Sequence, residues 1–478
     1  MSKVKRILSV IMAMVMVLAM SVPTFAATAN INLSGFESAA KVEYLQIIEP
    51  NQTTTSGWAF ANGADQCFAD ALGLSNTPEN QQKIIWGLIK YQQSSIELPT
   101  GVEATTITAA NIDTALSKVK NLSGYVVATS KTAISVNKAG VYAIKAEEAN
   151  YTYKTMSAYV SFTPVTNGKY ENLNDTDVTA KKATTTVTKT TTDKNHVVAI
   201  GDIVTYKIEV YVPYIDASNT QNRTFSITDE ITGADYYLNG EGSINSVVME
   251  GSKNQVGTIV QDSANKHKFS IHLDELVNDL DNPNAGKKIT VTYTAKVTAV
   301  KVENNAGSHV SGSDYNGTPV KLFTGEITLL KYGENNENIV LSGAEFEVYK
   351  DGATTPLKFK SDNGRYKYAP DAADASATVV TGADGKVIVE GLDTGSYHFK
   401  ETKAPKGYSI NTDGKTISLS QTGVATEIIK NSDKLNDTKL SALPATGGIG
   451  TTIFTIGGCA IMIVAAGLFF ATRRKTQK

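Results

Sequence analysis

Only two cysteines, Cys67 and Cys459, occur in 478 residues. Cys459 sits inside a long apolar run near the C-terminus, so the rest of the chain cannot form an intramolecular disulfide. Any covalent reinforcement must come from other chemistry. Cys67 reads as a small buried hydrophobe rather than a reactive thiol. Histidine is almost as scarce. His196, His267, His272, His309 and His398 are scattered, and none has a neighbour at metal-ligand spacing, which gives no ground for a zinc site, another metal or a cofactor. An excess of one charge is also lacking: 45 basic residues face 47 acidic ones. No basic block stands out, which argues against nucleic acid as a partner. No grouping of nucleophile, histidine and acid is evident, and an enzyme is not expected.

Long apolar runs are confined to the two ends. Lys3, Lys5 and Arg6 precede an uncharged apolar run over 7–20, followed by small residues around Ala26 and Ala27. This is the three-part pattern of a secretory signal peptide. The run is short of the roughly 20 residues a bilayer needs, and cleavage is expected after Ala26. At the other end, an apolar stretch over 449–471 is followed by Arg473, Arg474 and Lys475. It is long enough to span a membrane, with the basic tail held in the cytoplasm. Immediately before it stands Leu443-Pro444-Ala445-Thr446-Gly447. The pentapeptide, span and basic tail, in that order, resemble the LPxTG sorting signal of sortase substrates. Leu98-Pro99-Thr100-Gly101 lacks both the spacer residue and a following span, and reads as a turn.

Between the processed ends lie about 420 residues, room for two to four domains. Up to about residue 180 the character is mixed. Thr77-Pro78-Glu79 predicts a capped helix start with Ile84, Ile85, Leu88 and Ile89 on its apolar face. A second helix is expected over 108–122, with strands at 124–128 and 140–145. From Thr184 the pattern turns to period-two alternation: Val204, Tyr206, Ile208, Val210 and Val212, and later Ile289, Val291, Tyr293, Ala295 and Val297. Each such strand has one face to bury, which predicts a β-sandwich. Past Gly317-Thr318-Pro319, short strands at 325–330, 344–349, 386–389, 396–401 and 416–419 predict a second sandwich.

Tyr397-His398-Phe399-Lys400-Glu401-Thr402-Lys403-Ala404-Pro405-Lys406-Gly407-Tyr408 resembles the E-box of Gram-positive pilins, YxLxETxAPxGY, with Phe399 in place of leucine. Together with Lys331 and the Leu341–Phe346 stretch, it makes the last domain similar to a collagen-adhesin B-type domain, and the whole chain similar to three-domain pilins. The resemblance implies an α+β N-terminal domain followed by two immunoglobulin-like β-sandwiches. It divides the chain into a signal peptide (1–26), an N-terminal pilin domain (27–180), a fimbrial isopeptide-forming domain (181–318), a collagen-adhesin B-type domain (319–436) and the sorting region (437–478).

The resemblance also implies two intramolecular isopeptide bonds. Lys331 would pair with Asn431, helped by Glu401, and Lys189 with Asn305, helped by Asp229. Burial suits such chemistry, since it lowers a lysine's pKa and raises a carboxylic acid's. A membrane sortase would cleave between Thr446 and Gly447 and pass the acyl group to Lys181 of another subunit, with Lys182 as the alternative, or to peptidoglycan. The Tyr-Pro that precedes the family's linkage lysine is absent before Lys181. The expected product is a backbone pilin at the wall of a Gram-positive cell. The alternative is a minor pilin or a wall-anchored monomeric adhesin that binds a host or extracellular-matrix ligand.

Overall fold

The computed structural model describes residues 27–164, 172–217, 219–441 and 450–475. The expected signal peptide and the Leu443–Gly447 pentapeptide therefore lie outside the described residues. The chain forms two units. One holds residues up to 196 together with 202–322, and the other holds 197–201 and the chain from 323 on.

In the N-terminal part of the first unit, Lys41–Pro50 and Gly140–Glu147 are central strands, flanked by Trp58–Phe60 and Met156–Val160. Side chains alternate across Gly140–Glu147. Val141 and Ala143 face a core shared with three helices, and Tyr142, Ile144 and Ala146 face a second core. That second core is closed by a smaller sheet in which Ala29–Ser34 pairs antiparallel with Ala133–Val136 and parallel with Thr176–Thr179. A sheet buried on both faces needs apolar residues at consecutive positions, which is what 141–144 supply.

Two of the three helices are those the sequence predicts. Pro78–Gln92 begins at Thr77, whose hydroxyl accepts the Asn80 N–H at 3.3 Å. Ala109–Val119 begins with a capping box between Thr108 and Asn111. Such caps satisfy N–H groups that the helix leaves free. The third, Ala64–Leu72, lies between Gly63 and Gly73, both left-handed. It buries Cys67 in the helix-side core, and burial pushes that thiol's pKa up, as suits a packed rather than a reactive sulfur. Residues 99–102 form a turn, with the Val102 N–H bonded to the Pro99 carbonyl.

The rest of the first unit is a β-sandwich. One sheet runs Thr188–Thr191, Ile203–Tyr211, Lys288–Val297 and Ala234–Tyr236. The other centres on Phe225–Thr232, between Lys268–His272 and Lys301–Val310. Val204, Tyr206, Ile208, Val210 and Val212, and the matching set from Ile289 to Val297, are all buried, as their alternation predicts.

The second unit is also a sandwich. In its larger sheet Gly325–Gly333 pairs antiparallel with Lys386–Leu392 and parallel with Ile429–Asp437. The facing sheet runs Thr378–Val380, Glu345–Lys350, Gly395–Lys403 and Lys415–Leu419. Ile327, Leu329, Phe346, Val348, Val387 and Phe399 fill the space between them. Phe399 therefore occupies a core position in place of the family's leucine. The fold is thus mainly β. Near the C-terminus Gly450–Lys475 is a single helix, and its Thr452–Arg473 segment is long and apolar enough to cross a membrane.

Candidate functional site

Two lysines are buried in the two sandwiches, and each meets a carboxylate. Lys189 stands on Thr188–Thr191, at one end of the first sheet of the middle sandwich. Its Nζ bonds to Asp229 Oδ2 and to the Tyr293 hydroxyl. The side chains of Lys189 and Asp229 are wholly inaccessible. Tyr293 and Tyr236 donate to Asp229 Oδ1 at 2.8 and 2.9 Å. Asn304 donates its side-chain N–H to the Tyr293 oxygen at 2.9 Å. Burial lowers the pKa of Lys189 and raises that of Asp229, and in both cases it outweighs their mutual attraction. Both shifts favour an uncharged amine beside an uncharged acid, the state in which nitrogen can act as a nucleophile.

The amide that reaches this cluster is Asn304, where the resemblance implies Asn305. On Lys301–Val310, Val302, Asn304 and Ala306 share the buried face, while Asn305 faces the other way, opposite the exposed Glu230. Strand side chains alternate, so a shift of one residue moves a group to the opposite face.

Lys331, on Gly325–Gly333, is wholly buried. Its Nζ lies 3.0 Å from Glu401 Oε2 and bonds to Asp437 Oδ1, beneath the Phe346 ring. Glu401 also accepts the Asn411 N–H at 2.7 Å. Burial raises the Glu401 pKa, and its hydrogen bonds from Asn411 and Lys331 only partly offset that. Glu401 Oε1 and Asp437 Oδ2 are buried without a hydrogen-bond partner.

Asn431 does not reach this lysine. It is exposed, its amide donates to the Ser418 carbonyl, and it lies opposite Ile327 in the parallel register. Four residues of strand separate Ile327 from Lys331, roughly 13 Å. The same register sets Leu435 beside Lys331 and turns Asp437 inward. Lys331 therefore faces a carboxyl where the family resemblance implies an amide.

Residues 325–434 match the SpaA family, a prealbumin-like fold domain, and 436–478 match the LPXTG cell wall anchor motif. The chain carries an LPXTG cell wall anchor behind a SpaA-type domain. The anchor implies sortase processing and attachment to the cell wall of a Gram-positive bacterium, with Thr452–Arg473 holding the precursor in the membrane. The anchored chain is 23% identical over 375 residues to the trypsin-resistant surface T6 protein of Streptococcus pyogenes, covering 60% of this chain and 68% of that one. It is 27% identical over 178 residues to the fimbrial subunit type 2 of Actinomyces naeslundii, and that match spans 32% of each chain. Its fold is similar to that of the T6 backbone pilin of serotype M6 Streptococcus pyogenes, described as a modular three-domain structure. The TM-score is 0.51 at 17% identity, over 82% of this chain and 80% of that one.

The two candidate linkage lysines of the anchored protein differ in setting. Lys182 is half-buried, ion-paired with Glu37 and 5.1 Å above the Tyr151 ring. Burial pulls its pKa down, but Glu37 more than offsets that and holds the ammonium protonated. Lys181 is exposed between Thr176–Thr179 and Lys182–Thr184. Among the described residues no group of histidine, cysteine and acidic side chains could hold a metal ion.

Proposed function

We propose that the chain is a structural subunit of a sortase-assembled pilus, a sortase substrate rather than an enzyme, whose two sandwiches are each locked by a lysine cross-link. The observation that carries this reading is the burial of Lys189 and Lys331 against a carboxylic acid and a second acyl side chain. An unbonded buried lysine is costly. Condensation removes that cost.

In the middle domain Lys189 Nζ gives a proton to Asp229 and attacks Asn304 Cγ, and ammonia leaves. In the last domain Lys331 attacks Asp437 with Glu401 as the acid, and water leaves. The second reaction also expels a carboxylate oxygen from a place where one has no hydrogen-bond partner, which removes a penalty of about 1–3 kcal/mol.

Polymerisation uses Lys181 as the acceptor of the acyl group formed at Thr446. Co-expression with a class of sortase that builds pili yields a ladder of covalent multimers. K181A abolishes the ladder and K182A preserves it. A ladder unchanged in K181A would remove Lys181 from this role. The absence of Tyr-Pro before Lys181 favours a second reading, a minor pilin or anchored adhesin attached singly to the wall. In that case no ladder forms with any lysine.

A further inference from the structure

We propose that the Tyr293 hydroxyl is the proton relay of the Lys189–Asn304 condensation, carrying a proton from the attacking amine to the departing amide nitrogen. The proposal rests on the cross-link assigned above.

Tyr293 comes from Lys288–Val297 and is wholly buried. Its single oxygen meets the three other members of the cluster. It accepts from Lys189 Nζ and from Asn304 Nδ2, and it donates to Asp229 Oδ1. Tyr236 is a natural contrast, since its hydroxyl contacts Asp229 and the His267 carbonyl. The Tyr293 ring is stacked on Tyr206 at 5.7 Å and met edge-on by Phe269 at 5.0 Å. Packing on both sides fixes the ring, so the hydroxyl has only to rotate. Burial and the adjacent Asp229 hold the phenol well above its ordinary pKa, which keeps its proton in place between transfers.

The proton count shows why a relay is needed. Asp229 first takes a proton from Lys189. The Nζ lone pair then attacks Asn304 Cγ, forming the Nζ–Cγ bond and leaving a surplus proton on Nζ and negative charge on the amide oxygen. Nδ2 is a poor leaving group until it gains a proton. The Tyr293 hydroxyl turns from Asp229 toward Nδ2, delivers its proton there and takes the surplus proton from Nζ. The Cγ–Nδ2 bond breaks, ammonia leaves and the carbonyl reforms. Tyr293 is unchanged, and Asp229 keeps the proton it took. At the second site the leaving group is a carboxyl oxygen, and the acids Glu401 and Asp437 are themselves the contacts of Lys331.

The test follows cross-linking in the full chain during cell-free synthesis with detergent, quenching samples in acid and mapping the linked peptides by mass. Y293F forms the Lys189–Asn304 bond roughly a hundredfold more slowly, and Y236F stays within about tenfold of wild type. In mixtures of light and heavy water the wild-type rate falls along a bowed curve, because two protons move together, and the Y293F rate falls along a straight line. A folded Y293F chain that cross-links at the wild-type rate overturns the relay. So does a straight line for wild type, which decides the matter even if Y293F does not fold. A wild-type chain that forms no bond between Lys189 and Asn304 overturns the cross-link beneath the proposal instead.

Discussion

Asn304 and Asn305 are chemically identical, and only the face of the strand separates them. With the bond assigned to Asn304, N304A abolishes the loss of ammonia from the middle domain and N305A leaves it intact, as peptide mass mapping would show. The reverse result would restore Asn305. The N304A chain also exposes the titration of the uncross-linked pair. Burial lowers the Lys189 pKa. Between that value and about 10.4, the ordinary lysine value, the unfolded chain holds a proton that the folded chain has shed, so stability rises with pH. Burial raises the Asp229 pKa. From about 3.9, the ordinary aspartate value, up to the raised value, the folded chain holds the extra proton, so stability falls as pH rises. Cross-linking converts Lys189 to an amide that does not titrate. Urea unfolding of N304A therefore gains stability toward alkaline pH relative to wild type. Parallel curves in that range would show that Lys189 is not desolvated as described.

At the scale of elements, the parallel pairing of Gly325–Gly333 with Ile429–Asp437 decides which acyl group Lys331 meets. D437N keeps the bond but loses ammonia instead of water, so mature D437N and mature wild type have the same intact mass, although their sequences differ by about 1 Da. N431A matures as wild type does. If N431A alone prevented maturation, the register would be wrong. The alternation that buries Val302 and Ala306 was visible in the sequence and already puts Asn304, not Asn305, on the inner face. Parity could not choose between Asn431 and Asp437, which stand on the same side of their strand. That choice depends on how far the strand slides past its partner, a property of two segments about 100 residues apart with no local signal. The capped helices and alternating strands were legible because each carries its periodicity locally. The helix Ala64–Leu72 was not, because its start at a left-handed Gly63 has no side-chain cap.

Across the whole molecule, the two proposed cross-links would each tie an early strand of a sandwich to a late one, across loops of roughly 100 residues. By the chain-entropy estimate used for disulfides, each closure would contribute about 5 kcal/mol. A Lys331–Asp437 bond would have a further mechanical effect. Asp437 is close in sequence to Thr446, so with that bond formed, tension entering at the sorting motif would reach Lys331 covalently before it could unzip Ile429–Asp437. K331A combined with D437A should leave the last domain folded but lower its thermal transition by well over 4 °C, the smallest shift expected for a change of even 1 kcal/mol in a domain of this size. It should also open the domain to proteolysis, and an unchanged transition would deny the link any role in stability. The most direct test of the account is the intact mass of residues 27–441, with peptide mapping. Two covalent losses are predicted, about 17 Da between Lys189 and Asn304 and about 18 Da between Lys331 and Asp437. A mass equal to the unmodified sequence would contradict it.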